Sequence, residues 1–410
     1  MPNLNFLRNK KLIQSIVLYS STIGAMLFGF LISILNTKYL GTEDYGRFKY
    51  IEVLFSIILL FSTFGYFYTT SFMIASEKNE KKKKSIFGTH LIIGIFTSII
   101  FALIVFIYNI FFEELNPYIL ILLPLIPVII FNNSLENMLQ GSNHIFSLSA
   151  LKIGPRAIYA LSLVAVISIY NEINIREALI LYYSSIGLII VLIVLKTPLN
   201  FHDFKNNISN IYQQNKKIGF PIFIGSIFGV ASTHLSTILV GFFKTNEDFG
   251  FYALALTISS PMAILPAIIG TIFMTEFVTA KRISPKHIKL ITVISLLFFA
   301  VFIIILEPFI RMFYDSDFLP IIPITIMTSI GFLIHGYGDL FNKFLYAKGE
   351  GKKMRISSIN IGISNIFFSI LLIPNLGSFG AAYVKIISAS IYLLTVLFFY
   401  LKKVREKSII

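Results

Sequence analysis

Apolar residues in this chain gather into runs longer than the ~18 that cross a bilayer, with short polar punctuation between them. The pattern predicts about twelve spans, over 12–36, 48–75, 86–108, 117–139, 145–170, 177–195, 219–242, 250–276, 288–308, 320–342, 356–374 and 379–401. Helices are the expected element, because a segment in hydrocarbon must pair its own backbone N–H and C=O groups. The first run, about 25 residues following Arg8, Lys10 and Lys11, exceeds the ~7–15-residue core of a cleavable signal peptide and is expected to stay as the first helix. The fold class implied is an all-α polytopic membrane protein.

Composition points the same way: 56% of the 410 residues are hydrophobic and 13% are charged, where a soluble globule carries roughly 25% charge. The net charge of +14 would suggest a nucleic-acid partner in a soluble protein, so its placement matters. Lys and Arg number 25 in one set of alternate connections and 6 in the other, and Lys152, Arg156 and Lys385 fall inside spans. That asymmetry predicts cytoplasmic termini, and it accounts for the charge without nucleic acid. Membrane lipids are the expected partner of the run Glu77-Lys78-Asn79-Glu80-Lys81-Lys82-Lys83-Lys84. Absence of Cys excludes disulfides and thiolate chemistry. No phosphate loop or metal-ligand cluster is legible, and the outer loops are brief, so no cofactor, metal or catalytic role is expected.

The longest connection, about 196–218, carries Asn206, Asn207, Asn210, Gln213 and Gln214. It is read as a cytoplasmic linker, 201–218, between an N-terminal six-helix lobe, 1–200, and a C-terminal one, 219–410. Thr42-Glu43-Asp44-Tyr45-Gly46-Arg47-Phe48 follows the first span, and Asn246-Glu247-Asp248-Phe249-Gly250-Phe251-Tyr252 follows the seventh. Both read polar-Glu-Asp-aromatic-Gly-x-aromatic, and they stand 204 residues apart. The acids suit the positive N-terminus of a helix, and recurrence at half-length indicates duplication. Six spans per half is an even number, which predicts parallel repeats about a central cavity.

Leu40-Gly41-Thr42-Glu43-Asp44-Tyr45-Gly46, ahead of a helix with Gly65, resembles the opening signature of the polysaccharide and O-antigen flippases of the multidrug/oligosaccharidyl-lipid/polysaccharide exporter superfamily. Leu139-Gln140-Gly141 looks like that family's turn after the fourth helix, and Gly250-Phe251-Tyr252-Ala253-Leu254-Ala255 with Pro266 is similar to its eighth. Asn365 followed by Ile373-Pro374-Asn375-Leu376-Gly377-Ser378-Phe379-Gly380-Ala381-Ala382 resembles its junction of helices eleven and twelve. The resemblance implies two lobes that rock by alternating access. It implies transfer of an undecaprenyl-pyrophosphate-linked oligosaccharide, an O-antigen or capsular repeat unit, from the inner to the outer leaflet of the bacterial plasma membrane. A glycan polymerase and a chain-length regulator are the partners such a system implies. Where many relatives carry an acid in the seventh helix, this chain has Ser236. The alternative reading is a drug or small-solute antiporter of the same superfamily, against which stands the excess of internal cations.

Lys152 and Arg156 are four apart and share one helical face, with Arg156 near the midplane. A central Arg costs about 2.5–3.5 kcal/mol on insertion scales and usually faces a cavity. Arg156 is therefore the leading candidate to hold a pyrophosphate through forked hydrogen bonds, with Lys152 and Lys385 as further cavity cations. The competing readings are an ion pair with Glu136 or Asp339, or snorkelling of a lysine. Asp339, His234, Glu52 and Glu136 are the candidates for gating or ion coupling. Their plainer roles are an interhelical partner for Asp339, helix packing for His234 and interfacial placement for the two glutamates.

Overall fold

A computed structural model describes residues 4–111, 116–142, 144–197, 199–264, 266, 273, 277 and 279–406. Among these no residue is in a strand. The helices are α1 (Leu4–Thr63), α2 (Tyr66–Ser76), α3 (Glu80–Phe111), α4 (Asn116–Leu122), α5 (Ile126–Gly141), α6 (Ile145–Tyr170), α7 (Ile175–Lys196), α8 (Phe204–Gln214), α9 (Phe220–Phe243), α10 (Asn246–Ser259), α11 (Pro285–Phe313), α12 (Ile321–Ala347) and α13 (Gly351–Glu406). A 3-10 turn, Leu123–Leu125, joins α4 to α5, and a π turn, Asn215–Gly219, joins α8 to α9.

Eight helices among the described residues are long and apolar enough to cross a membrane. Two of them are far too long for one crossing. At ~1.5 Å per residue, the 56 residues of α13 would reach about 84 Å if straight, against a hydrocarbon core of ~30 Å. The break is at Gly377, with φ 56°, inside the Ile-Pro-x-x-Gly segment. In α1 the break is at Gly41, with φ 73° and ψ −178°, a conformation open to a residue without Cβ. Each break separates two of the spans predicted from sequence. α9 and α10 carry the seventh span and the start of the eighth, whose later part lies largely outside the described residues. The architecture is thus the all-α fold of about twelve membrane helices in two six-helix lobes.

Contacts divide the chain into two compact units. Unit 1 is Met1–Leu40 with Phe55–Ile224, and unit 2 is Gly41–Leu54 with Gly225–Ile410. In unit 1 the start of α7 is fixed by a capping box: the Asn174 side chain accepts from the Glu177 N–H at 3.0 Å, while Glu177 accepts from the Asn174 N–H at 3.1 Å. The π turn is held by Asn215, which donates to the Phe64 carbonyl at 3.0 Å and accepts from the Thr69 hydroxyl at 2.8 Å.

In unit 2, α12 is the inner helix, with 44% of its most apolar stretch buried, whereas α11 has 11%. α11 presents Leu290, Leu297 and Ile304 outward, as a lipid-facing helix should. The repeated motifs meet within this unit. Tyr45 and Phe249 are both fully buried, and a Cβ on Gly250 would lie 3.1 Å from the Gly46 Cα. In the second motif the acids have the local role expected of them: Thr245 accepts from the Asp248 N–H at 3.1 Å to cap α10, whose first turn holds Glu247 and Asp248; in the first, Asp44 pairs with Arg47 at 2.9 Å.

Candidate functional site

The fourth and fifth predicted spans meet at a tight corner. α5 ends at Gly141, and the His144 N–H donates to the Leu139 carbonyl at 3.0 Å, so α6 starts four residues on, at Ile145. That return sets Glu136 of α5 against Lys152 of α6, Nζ to Oε1 2.8 Å. Further along α6, Pro155 has no N–H to give the Leu151 carbonyl, and both residues line a cavity of about 280 Å³. Thr22 and Ala25 of α1, Asn132 and Glu136 of α5, and Tyr182 of α7 complete its polar and small walls, all within unit 1. Tyr182 is braced by edge-on packing against Tyr159, 5.3 Å between ring centres.

Arg156 lies on the same face of α6 as Lys152, and its side chain enters this cavity. It donates from Nη1 to the Ala25 carbonyl at 2.8 Å. Among the described residues it has no carboxylate partner. A guanidinium has five N–H donors in a planar fork, and the bond to Ala25 uses one of them. Of the ion pairs weighed for the two cations, the one with Glu136 is made by Lys152 and not by Arg156, and Gln140 donates to the same carboxylate at 3.4 Å.

Unit 2 carries a second polar cluster. Asp339 of α12 accepts from the Tyr392 hydroxyl of α13 at 3.0 Å and lies 3.8 Å from the His335 Nε2. The His335 ring stacks on Tyr392, 4.9 Å between centres. Two glycines make this possible: a Cβ on Gly338 would come within 2.5 Å of the Tyr392 ring, and one on Gly331 within 2.7 Å of the Lys385 Cγ. Lys385 sets its ammonium over the Phe332 ring, 4.1 Å from the centre. His335 and Tyr392 escaped the sequence reading. The signal for His335 was its i,i+4 spacing to Asp339, and for Tyr392 it was two turns of helix beyond Lys385.

Two further candidates, Glu52 and His234, lie in the same unit, and His234 stands in the electrostatic field of both Glu52 and Lys385. Glu52 pairs with Lys49 one turn before it, at 2.8 Å. His234 is half-buried on α9. Ser236, two residues on, is buried in a knot with Asn365 at 3.1 Å and Ser369 at 2.9 Å. Outside the spans, the Lys403 ammonium holds the Glu350 carboxyl below its ordinary value, with Lys353 assisting at 3.2 Å. Among the described residues no group of His, Asp and Glu is arranged to hold a metal.

A family model described as polysaccharide biosynthesis protein matches residues 12–277. No curated protein matches the chain. Among solved structures it is similar to the lipid II flippase MurJ in an inward closed conformation, at 19% identity over 97% of this chain and 90% of that one, with a TM-score of 0.74. An inward-facing multidrug resistance MATE family transporter of the MOP superfamily shares 14% identity over 96% of this chain and 98% of its own, TM-score 0.68. A MOP superfamily transporter from Pyrococcus furiosus Vc1 shares 13% identity over 95% of each chain, TM-score 0.58. Likeness at these identities establishes the fold, the two-lobe helical architecture expected from the sequence.

Proposed function

The chain belongs to the polysaccharide biosynthesis protein family, and on that premise we propose that it is a flippase for an undecaprenyl-pyrophosphate-linked oligosaccharide, an O-antigen or capsular repeat unit. The head group crosses from the inner to the outer leaflet of the bacterial plasma membrane by alternating access of two lobes, 1–200 and 219–410, joined by a cytoplasmic linker, 201–218. Both termini are cytoplasmic, and the chain transports without catalysing a bond change. A glycan polymerase and a chain-length regulator are its proposed partners downstream.

The observation that carries this reading is Arg156: a guanidinium inside a membrane span, aimed by one carbonyl at 2.8 Å and facing a cavity of about 280 Å³. A cation with no carboxylate partner among the described residues is expensive at that depth unless something anionic offsets it, and a diphosphate matches a guanidinium fork. Lys152 is the second anion contact in this cavity, and Lys385, in unit 2 over the Phe332 ring, is a further candidate cation outside it. Arg156 and Lys152 must hold the phosphates weakly enough for release on the far side.

Reconstitution with a fluorescent polyprenyl-pyrophosphoryl glycan tests it, with leaflet exchange as the readout. Exchange is expected to fall at least about tenfold in Arg156→Ala, the loss of one charge-assisted contact, and Arg156→Lys is expected to recover part of it. Undiminished exchange in Arg156→Ala would sink the anion-site reading. One observation favours the antiporter alternative: the titratable pair His335 and Asp339 in unit 2, at 3.8 Å. On that reading a proton gradient drives export of a small cation, and the polyprenyl glycan is not moved at all.

A further inference from the structure

Two cations and one carboxylate share the unit 1 cavity, and the carboxylate is occupied by Lys152. A polyprenyl diphosphate carries a negative charge on each phosphate. Arg156 can meet one of them, while the other must contest Lys152 with Glu136. Resting on the flippase reading, we propose that Glu136 is a substrate-displaced counter-ion: it neutralises Lys152 in the empty cavity, yields it to the second phosphate of a bound diphosphate, and reclaims it on release.

The pair is built to be broken. Its side chains are 34% and 36% exposed, so water and ligand reach both partners, and an ion pair this exposed is weak. It also joins two different helices rather than bracing one. Gln140, one turn along α5 from Glu136, already donates to the same carboxylate oxygen at 3.4 Å. That amide gives the displaced carboxylate a hydrogen bond to keep. Lys152 and Arg156, at i,i+4 on α6, have Cβ atoms about 5–6 Å apart, a span that adjoining phosphates can bridge. Without Glu136 the empty cavity would present two uncompensated cations, costly for the carrier to return unloaded. With it, the site holds its anion less tightly and lets go.

Affinity measured in nanodiscs separates the steps, with undecaprenyl diphosphate and undecaprenyl monophosphate as the two probes. Glu136→Gln is expected to tighten diphosphate binding about tenfold, the scale of one partly screened charge coupling. The monophosphate, seated on Arg156 alone, is expected to bind as before. In a Lys152→Met background the same substitution should change neither. Equal diphosphate affinity in Glu136→Gln and wild type overturns the proposal, as does tightening of both probes alike or tightening that persists without Lys152. Should Glu136→Gln not fold, Glu136→Asp, which withdraws the carboxylate by one methylene, must show the same selective tightening in smaller measure. Failure of the flippase reading looks different: there Arg156→Ala leaves diphosphate affinity unchanged. If Arg156→Ala weakens binding while the Glu136 variants do nothing, only the counter-ion proposal falls.

Discussion

The crossing of the two repeated motifs in unit 2 gives a graded test of how closely their backbones approach. A Cβ on Gly46 would fall 1.8 Å from the Asn246 carbonyl oxygen and 2.6 Å from its carbon, both backbone atoms of the first turn of α10. Real contacts are essentially never under 3.0 Å, so α10 would have to retreat by more than 1 Å, and no flexible side chain lies there to absorb it. Overpacking costs about 1–3 kcal/mol, and with rigid backbone on both sides Gly46→Ala should sit at the upper end. At ~2–4 °C per kcal/mol for a unit of this size, the melting temperature should drop by roughly 6–12 °C. Gly250→Ala meets its neighbours at 3.1–3.2 Å, a shift of only tenths of an ångström, and should cost less. Gly351→Ala meets nothing within 4 Å and has no positive φ, so it should be neutral. With neither Trp nor Cys in the chain, loss of helical circular dichroism in detergent is the suitable readout. A Gly46→Ala protein that melts with wild type, or a series in any other order, would refute the packing argument.

Two further outcomes can be measured on the same preparations. Because Lys403 and then Lys353 hold the Glu350 carboxyl below its ordinary value of 4.5, the bridge stabilises the folded state fully above that value and is lost as pH falls through the lowered one. Glu350→Gln should therefore melt below wild type at neutral pH, with the gap closing in acid; a gap that widens in acid would contradict the bridge. Asn215→Ala removes the hydrogen bonds to the Phe64 carbonyl and the Thr69 hydroxyl, at about 0.5–1.5 kcal/mol each. It should lower the melting temperature and raise protease cleavage in the 199–219 connection, and an unchanged cleavage pattern would show that Asn215 does not hold the π turn.

Much of the fold was open to a reader of the sequence because hydrocarbon leaves few options. Runs of apolar residues must be helical, and charge placement fixes their number modulo two. The breaks at Gly41 and Gly377 were legible too, since both glycines stand in polar punctuation between apolar runs. Which helices pack together was not, because every span carries the same apolar surface toward lipid and toward its neighbours. Gly41–Leu54, in the first half by sequence order, groups by contact with unit 2. The only hint was the twin motif at 246–252, whose paired glycines read as a repeat and turned out to touch. Similarly, Lys152, Arg156 and Glu136 were visible as misplaced charges, but their pairing depended on the α5–α6 corner, where either cation could have taken the carboxylate.

How each intramembrane cation is met separates their roles more sharply than depth does. Lys152 has a carboxylate at 2.8 Å, and Lys385 has the face of Phe332 at 4.1 Å with Asp339 in its field. On the flippase reading, an anion reaching either lysine must first take its charge from a neighbour. Among the described residues Arg156 has the Ala25 carbonyl and no carboxylate, an arrangement that orients the guanidinium without neutralising it. Lysine at that position would give its compact ammonium to the same carbonyl and keep no planar fork for a phosphate. Arg156→Lys should thus preserve the cavity's charge yet fall short of wild-type exchange, and full exchange in that variant would mean that charge alone, not the fork, recognises the anion.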